Sequence, residues 1–209
     1  MMNISSPGSG RTSVGEKPYA ESCDQNKAPI LAVLRRLFAD TGSVLEIGSG
    51  TGQHAVHFAG AMPHLVWHTS DRRDNHPGIQ AWLREAALPN TRDPIELDVR
   101  GRWPEQTYDG VFSANTLHIM SWPEVERCFE GLGSVLAESG RFVLYGPFNY
   151  NGEYTSESNR QFDIWLKQRD PLSGIRDFSD LNRLAGNRGL VFEEDIQMPA
   201  NNRILVWRR

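Results

Sequence analysis

Val44-Leu45-Glu46-Ile47-Gly48-Ser49-Gly50-Thr51-Gly52-Gln53-His54 reads as an apolar strand that ends on a carboxylate, then three closely spaced glycines, then the start of a helix. Glycine tolerates positive φ and carries no Cβ, so the backbone there turns sharply and leaves room for a ligand against it. Strand, glycine turn and helix in that order is how open α/β sheets build a nucleotide site at the carboxyl end of a strand. The spacing narrows the choice of nucleotide. A dinucleotide fingerprint requires G-x-G-x-x-G; Gly48 and Gly50 fit it, but Gln53 stands in the third place. A phosphate-binding loop ends in Gly-Lys-Ser/Thr, and no lysine follows here.

The pattern that remains, E-x-G-x-G-x-G from Glu46 to Gly52, resembles the first motif of the class I S-adenosylmethionine (SAM)-dependent methyltransferases. The resemblance implies that Glu46, Gly48, Ser49, Gly50 and Gly52 hold the amino-acid end of SAM, which has no phosphate. Leu65 to Asp71 reads as a second strand closing on an acid, about 20 residues past the turn, the usual place for a carboxylate that binds ribose hydroxyls. A carboxylate accepts from both hydroxyls at once. Arg72 stands beside Asp71 at this edge, and the pair Arg72-Arg73 also suits a ribose phosphate, as in NADP enzymes. Pro94 to Val99 alternates apolar and acidic residues like a short strand with one face buried. In the resembled family an acid at this place receives the adenine amino group and the next backbone N–H reaches the ring. Asp98 and Val99 occupy those places, with Glu96 as the competitor.

Val111-Phe112-Ser113-Ala114 suits a buried parallel strand. The resemblance puts the residues after it between cofactor and substrate, which makes Asn115 and Thr116 cofactor contacts and His118 a substrate contact. Methyltransferases of DNA and of many protein amines carry Asn/Asp-Pro-Pro-Tyr/Phe here. Ala114-Asn115-Thr116-Leu117-His118 departs from that pattern and counts against nucleobase or amide nitrogen as the acceptor. His118 is the candidate catalytic residue, because a near-neutral imidazole can take a proton from an attacking hydroxyl or thiol. Shaping the pocket is its other reading.

A chain of 209 residues suits one domain with one core. Its 39% apolar and 23% charged content are those of a globular protein, and no apolar run reaches the ~20 residues of a membrane span. Residues 1–17 begin Ser/Gly-rich, lack the basic-then-apolar order of a secretion signal, and are expected to be a disordered tail. Cys23 and Cys128 are far apart, which fits a reduced, cytoplasmic protein. The net charge of −4, with no basic cluster longer than a pair, argues against nucleic acid as a partner. His54 and His57 share a helix face, but no third ligand accompanies them, so no metal is expected. Oligomeric state leaves no mark on the sequence.

Further along, Ile30, Val33, Leu34, Leu37 and Phe38 recur at helical spacing with Pro29 near the expected helix start, and Asn26-Lys27 lies just before it, close to the cofactor edge. Ser121 and Glu124 form a capping box opening another helix. Gly140 to Pro147 is a strand and its exit, and Val191–Ile196 and Arg203–Trp207 flank a turn as a terminal hairpin. The alternation predicts an α/β fold: a Rossmann-like, seven-stranded, mostly parallel sheet with a C-terminal antiparallel hairpin and helices on both faces. Within the domain expected over residues 18–209, the polar and aromatic segment 148–177 is a lid or substrate floor, or a decorated surface loop.

The chain also resembles a narrower group, the methyltransferase-like 26 proteins, catalogued as domain of unknown function 938. The likeness runs from about Ala20 onward and rests on Asn26-Lys27-Ala28-Pro29, the glycine turn, Gly146-Pro147-Phe148 with Asn151-Gly152, Thr155-Ser156-Glu157-Ser158-Asn159, and Asp170-Pro171 with Gly174-Ile175-Arg176-Asp177. Such members usually carry arginine where this chain has Gln25. The resemblance implies SAM binding and supplies no substrate. Asn26, Lys27, His118, Tyr145, Phe148, Asn149 and Asn159 are the candidate substrate contacts. The expected function is methyl transfer from SAM to a small molecule, with a SAM-binding protein devoid of transferase activity as the alternative.

Overall fold

The computed structural model describes residues 17–209. The expected tail lies outside the described residues, save Lys17. Seven strands form the main sheet: β1 (Ser43–Ile47), β2 (Val66–Asp71), β3 (Thr91–Glu96), β4 (Tyr108–Ala114), β5 (Leu136–Gly146), and the last two in the chain, β9 (Val191–Gln197) and β10 (Arg203–Arg208). Their order is β3-β2-β1-β4-β5-β10-β9. The first five run parallel and β10 pairs antiparallel with both β5 and β9. The order reverses between β1 and β4, and ligands of open α/β sheets bind at such a switch point.

Helices cover both faces: α1 (Glu21–Leu37), α2 (Gln53–Ala61), α3 (His76–Ala86), α4 (Trp122–Val135), α5 (Glu157–Arg169) and α6 (Phe178–Gly186). Successive residues of a strand point to opposite layers. Val111 accordingly joins a core with Phe129, Leu132, Phe142 and Trp207, while Phe112 joins one with Ile30, Leu34, Phe58 and Trp67. Each of these fully buried side chains contributes about 1.5–3 kcal/mol relative to exposure. The capping box forms as expected: Glu124 Oε2 accepts from Ser121 N (2.7 Å) and Ser121 Oγ (2.8 Å).

Three features depart from the sequence expectation. Helix α1 starts at Glu21, so Pro29 lies inside it and Asn26 and Lys27 are helical. An interior proline costs ~3 kcal/mol, and these early turns are held from outside. Gln53 takes the Ala20 N–H at 2.6 Å and donates to its carbonyl at 3.3 Å, and His54 Nε2 meets Asn26 Oδ1 at 2.7 Å. Strand β3 ends at Glu96, which leaves Asp98 and Val99 in the turn beyond it. Asp98 Oδ1 accepts from Arg100 N (2.9 Å) and its carbonyl from Gly101 N (2.8 Å), the local bonding by which aspartate favours turns over strands. Segment 148–177 contributes a second, three-stranded sheet of β6 (Phe148–Tyr150), β7 (Glu153–Tyr154) and β8 (Arg176–Asp177), ordered β7-β6-β8. No helix among the described residues is long and apolar enough to cross a membrane.

Candidate functional site

The carboxyl ends of β1, β2, β3 and β4 converge on a cavity of about 460 Å³. Gly48, Ser49, Gly50, Asp71, Arg72, Asp98, Val99, Asn115 and Thr116 all line it, so the structure brings together nine of the eleven expected cofactor residues. The turn is built by bonds between strand ends. Gly48 N and Ser49 N both donate to Ser70 O at 3.0 Å. Gly50 N donates to Asp71 Oδ2 at 2.7 Å, while Asp71 Oδ1 accepts from Arg72 N (2.7 Å) and Asn75 Nδ2 (2.8 Å).

Each glycine answers a different constraint. A Cβ on Gly48 would lie 2.7 Å from the Thr116 side chain, and one on Gly52 would lie 3.0 Å from the Ile79 backbone on α3. A Cβ on Gly50 would meet nothing within 4 Å, and its φ of +57° is left-handed. Gly50 is therefore the bare stretch of cavity floor, and its neighbours are required by packing. Gly52 does not reach the wall.

Nor does Glu46, which is buried beneath the turn. Its Oε2 accepts from Ser49 Oγ (2.8 Å) and Trp67 Nε1 (3.1 Å). Burial raises its pKa to about 7 against those two hydrogen bonds, with the Asp71 charge adding to the rise. Glu46 thus acts by holding Ser49 in place. Asp98 is at the rim, where the Arg100 guanidinium binds both its oxygens (3.0 and 2.7 Å) and holds its pKa down at about 2. Of the two successive arginines, Arg72 lines the cavity and Arg73 is committed to Glu96 Oε2 through Nε (3.0 Å) and Nη2 (2.7 Å).

The lining also includes residues that sequence reasoning missed: Ser22, Cys23, Glu124 and Asp170. Cys23 and Ser22 come from the unexpected first turn of α1. Glu124 was legible only as a helix cap and Asp170 only as part of a turn. The charged wall of this chamber therefore holds four carboxylates (Asp71, Asp98, Glu124, Asp170) and one guanidinium, Arg72.

A second chamber of about 830 Å³ adjoins it, with Ser22, Asn115 and Ile119 common to both. Asn26, His118, Tyr145 and Asn159, four of the seven candidate substrate contacts, line this second chamber together. Asn115 stands at the junction with φ +56°, a left-handed conformation uncommon for a residue with a side chain. His118 is buried and packs edge-on against Phe162 with centroids 5.3 Å apart. Burial lowers its pKa to about 4, and the Arg176 charge adds to the drop.

Three expected substrate contacts are elsewhere. Lys27 is paired with Asp24, Phe148 is packed in the core, and Asn149 lies in the small sheet opposite Tyr154 and Asp177. Tyr154 is not on the wall, and its hydroxyl donates to Asp163 Oδ2 at 2.7 Å. Helix α5 forms the outer wall instead, through Phe162, Trp165 and Leu166.

Strand order, switch point and converging acids define the Rossmann-like fold of the class I methyltransferases. Residues 17–209 match the profile of the family described as "Protein of unknown function (DUF938)", and the chain belongs to that family. Several solved structures share the fold. An O-methyltransferase family protein from Burkholderia thailandensis superposes with a TM-score of 0.78 at 13% identity, over 88% of this chain and 56% of that one. The mitomycin 7-O-methyltransferase MmcR does so at 0.78 and 18%, over 90% and 54%. Human N-acetylserotonin methyltransferase in complex with SAM does so at 0.73 and 14%, over 90% and 53%. The chain thus spans about half the length of these proteins.

Proposed function

We propose that this protein is a SAM-dependent methyltransferase acting on a small molecule. The observation that carries the proposal is the charge of the first chamber. Four carboxylates against two guanidiniums, Arg72 on the wall and Arg100 paired with Asp98 and 3.6 Å from Glu124, leave an excess of negative charge that suits a ligand with a sulfonium and an ammonium and opposes the diphosphate of a dinucleotide. The donor set fits the parts of SAM: the bare floor at Gly50 for its amino-acid end, Asp71 for the ribose, and Asp98 with Val99 for the adenine, with Asn115 and Thr116 closing the side toward the second chamber. When bound, SAM supplies a methyl group on an already activated sulfur, so alignment is the main demand on the protein. Asn115, fixed by its N–H to Tyr145 O at 2.9 Å, sets the junction through which the two chambers meet.

His118 is our candidate for the proton acceptor. Its buried imidazole is neutral at neutral pH, and with a pKa lowered to about 4 it is a weaker base than the near-neutral imidazole expected, so it would take the proton only once methylation has made that proton acidic. The substrate class is a small molecule, the insertion 148–177 serves as the wall of its chamber, and kinship with the methyltransferase-like 26 proteins belongs to the same proposal. A reducing, cytoplasmic setting is part of it as well, supported by the two free cysteines.

Calorimetry with SAM, S-adenosylhomocysteine and NADPH tests this. The first two are expected to bind and NADPH to fail. In Gly50→Val, a branched side chain on the cavity floor is expected to weaken SAM by on the order of 100-fold, about 2.7 kcal/mol, with the melting curve showing a folded protein. Labelled SAM with a metabolite extract should then release S-adenosylhomocysteine. Binding of NADPH alone, or undiminished SAM affinity in the valine variant, sinks the proposal.

A further inference from the structure

The second chamber is lined by no aspartate, glutamate, lysine or arginine among the described residues. For a chamber of about 830 Å³ in a chain with 23% charged residues, that is a chemical specification. We infer that the methyl acceptor is an uncharged, ring-bearing molecule whose own O–H or N–H groups donate to the chamber. The inference rests on the proposed methyl-transfer reading of the site.

Three observations carry it. An ionised acceptor group would meet no counter-charge on this wall, and on its inner part, at His118, Tyr145, Asn159 and Leu166, it would lose water without a partner to replace it. The wall also has flat apolar surface to offer: Phe162 and Trp165 are stacked with centroids 5.7 Å apart and planes 18° from parallel, and His118 closes on Phe162 edge-on. Aromatic walls of this kind reward a ring in offset or edge contact.

The third observation concerns the amides. Asn159 Nδ2 donates to Asn201 O (3.1 Å) and Thr155 Oγ1 (2.9 Å), and Asn202 Nδ2 donates to Pro199 O (3.3 Å). Asn202 also shares its amide with Tyr145, whereas Asn159, buried on the wall, spends its N–H groups on the protein and has a carbonyl oxygen left to offer. A carbonyl oxygen accepts. The matching ligand brings hydroxyl or N–H donors, and one of these groups is the nucleophile. SAM held in the first chamber would supply the methyl group, the C–S bonding electrons staying with the departing thioether; the acceptor's oxygen or nitrogen would form the new bond to carbon, and its proton would pass to His118 and then to water.

The test uses aromatic fragments in triads that differ only in charge: a naphthol, the corresponding hydroxynaphthoate, and the corresponding (aminomethyl)naphthol as its ammonium. Binding is read by calorimetry on the full chain saturated with S-adenosylhomocysteine, which needs no turnover. The neutral member is expected to bind about tenfold or more tighter than either ion. Asn201→Asp, on an exposed turn where φ is +56° and aspartate is tolerated, puts a carboxylate at the rim. It is expected to move the preference about tenfold toward the ammonium. Equal or tighter binding of a charged member, or no binding of any, overturns the inference. Those outcomes leave the methyltransferase reading intact as long as S-adenosylhomocysteine binds, whereas failure of S-adenosylhomocysteine itself removes both.

Discussion

The two chambers meet at Asn115 and have opposite electrostatics. One is walled by carboxylates and floored by backbone; the other is walled by rings and amides with no formal charge. Their origins differ in weight. The first is assembled mainly from successive strand ends joined by backbone hydrogen bonds, with Ser22, Cys23, Glu124 and Asp170 added from other elements, the second mainly from an insertion, a hairpin turn and the start of α1, with Asn115 and Tyr145 from strand ends. On the proposed reading, the cofactor would be held mainly by the sheet and the part that selects an acceptor would hang on connections, where variation disturbs the core least. Charge would then stand where the ligand is a cation and be left out where a neutral molecule has to lie beside one.

The largest expected effect lies on the charged side. Glu46 is fully buried with its pKa raised to about 7, so the folded state holds its proton more tightly than the unfolded chain, whose carboxyl titrates near 4.5. Folding then takes up a proton between those values. Stability is fullest below about pH 4.5, falls as pH rises, and is lowest above about 7. Glu46→Gln mimics the protonated group, keeps an oxygen for Ser49 and Trp67, and removes the dependence. Urea unfolding at pH 5 and pH 8 is expected to show the variant gaining about 2.5 kcal/mol on the wild type between the two. The low-pKa imidazoles of His54 and His118 titrate alike in both proteins and cancel. Parallel curves would mean that the carboxylate beneath the turn is already ionised and at no cost.

A smaller effect tests the independence of the uncharged side. Asp163 on α5 is buried. Its Oδ1 accepts from Ile175 N (2.7 Å), and its Oδ2 from Tyr154 Oη (2.7 Å) and Lys167 Nζ (2.6 Å). These bonds clamp the helix bearing Phe162 and Trp165 to the loop that follows it. The same loop grips the turn after β4, since Gly174 N donates to His118 O at 2.8 Å and Arg176 Nε to Leu117 O at 3.2 Å. Asp163→Asn aims an amide N–H at two donors or at a third and loosens the clamp by about 2 kcal/mol. Affinity for a neutral ring fragment is expected to fall about tenfold, with SAM affinity held to within about twofold. A matching fall in SAM affinity would show that the two chambers are one mechanical unit, and the contrast drawn here would fail.

The difference in origin also explains what the sequence disclosed. Strand ends announce themselves: an apolar run closes on glycine or an acid, which marks Gly48 and Asp71, and Asn115, which only the family resemblance puts there, meets them. What the sequence does not give on that side is depth. Neither the strand pattern nor the resemblance says which side chain reaches the wall, and Glu46, which the resemblance puts at the amino-acid end of SAM, lies beneath the turn. On the other side the sequence names single residues and not the wall they make. Asn26, His118, Tyr145 and Asn159 are among the candidates and line the chamber, while Phe162, Trp165 and Asn202, remote from them in sequence, join only in the folded chain. Phe148 and Asn149 are candidates too. Both are spent on packing and on the small sheet, whose strands of two and three residues are too short for periodicity to register.

The smallest expected effect sharpens the comparison at its most ambiguous point, the Arg72-Arg73 pair that first suggested a phosphate. Arg73 and Glu96 have side chains 79% and 56% exposed, so their ion pair is screened by water in spite of its two hydrogen bonds. Exposed pairs of this kind contribute about 0–1 kcal/mol. Arg73→Ala is expected to change unfolding stability by no more than about 0.5 kcal/mol and SAM affinity by less than about twofold, with NADPH still failing to bind. Near silence is the informative outcome, because a guanidinium that read a ribose phosphate would be worth far more than a solvated pair. If the alanine variant instead lost about tenfold in affinity for any adenine nucleotide, the basic pair would be part of the cofactor wall. The excess of negative charge that separates the two chambers would then have been misjudged.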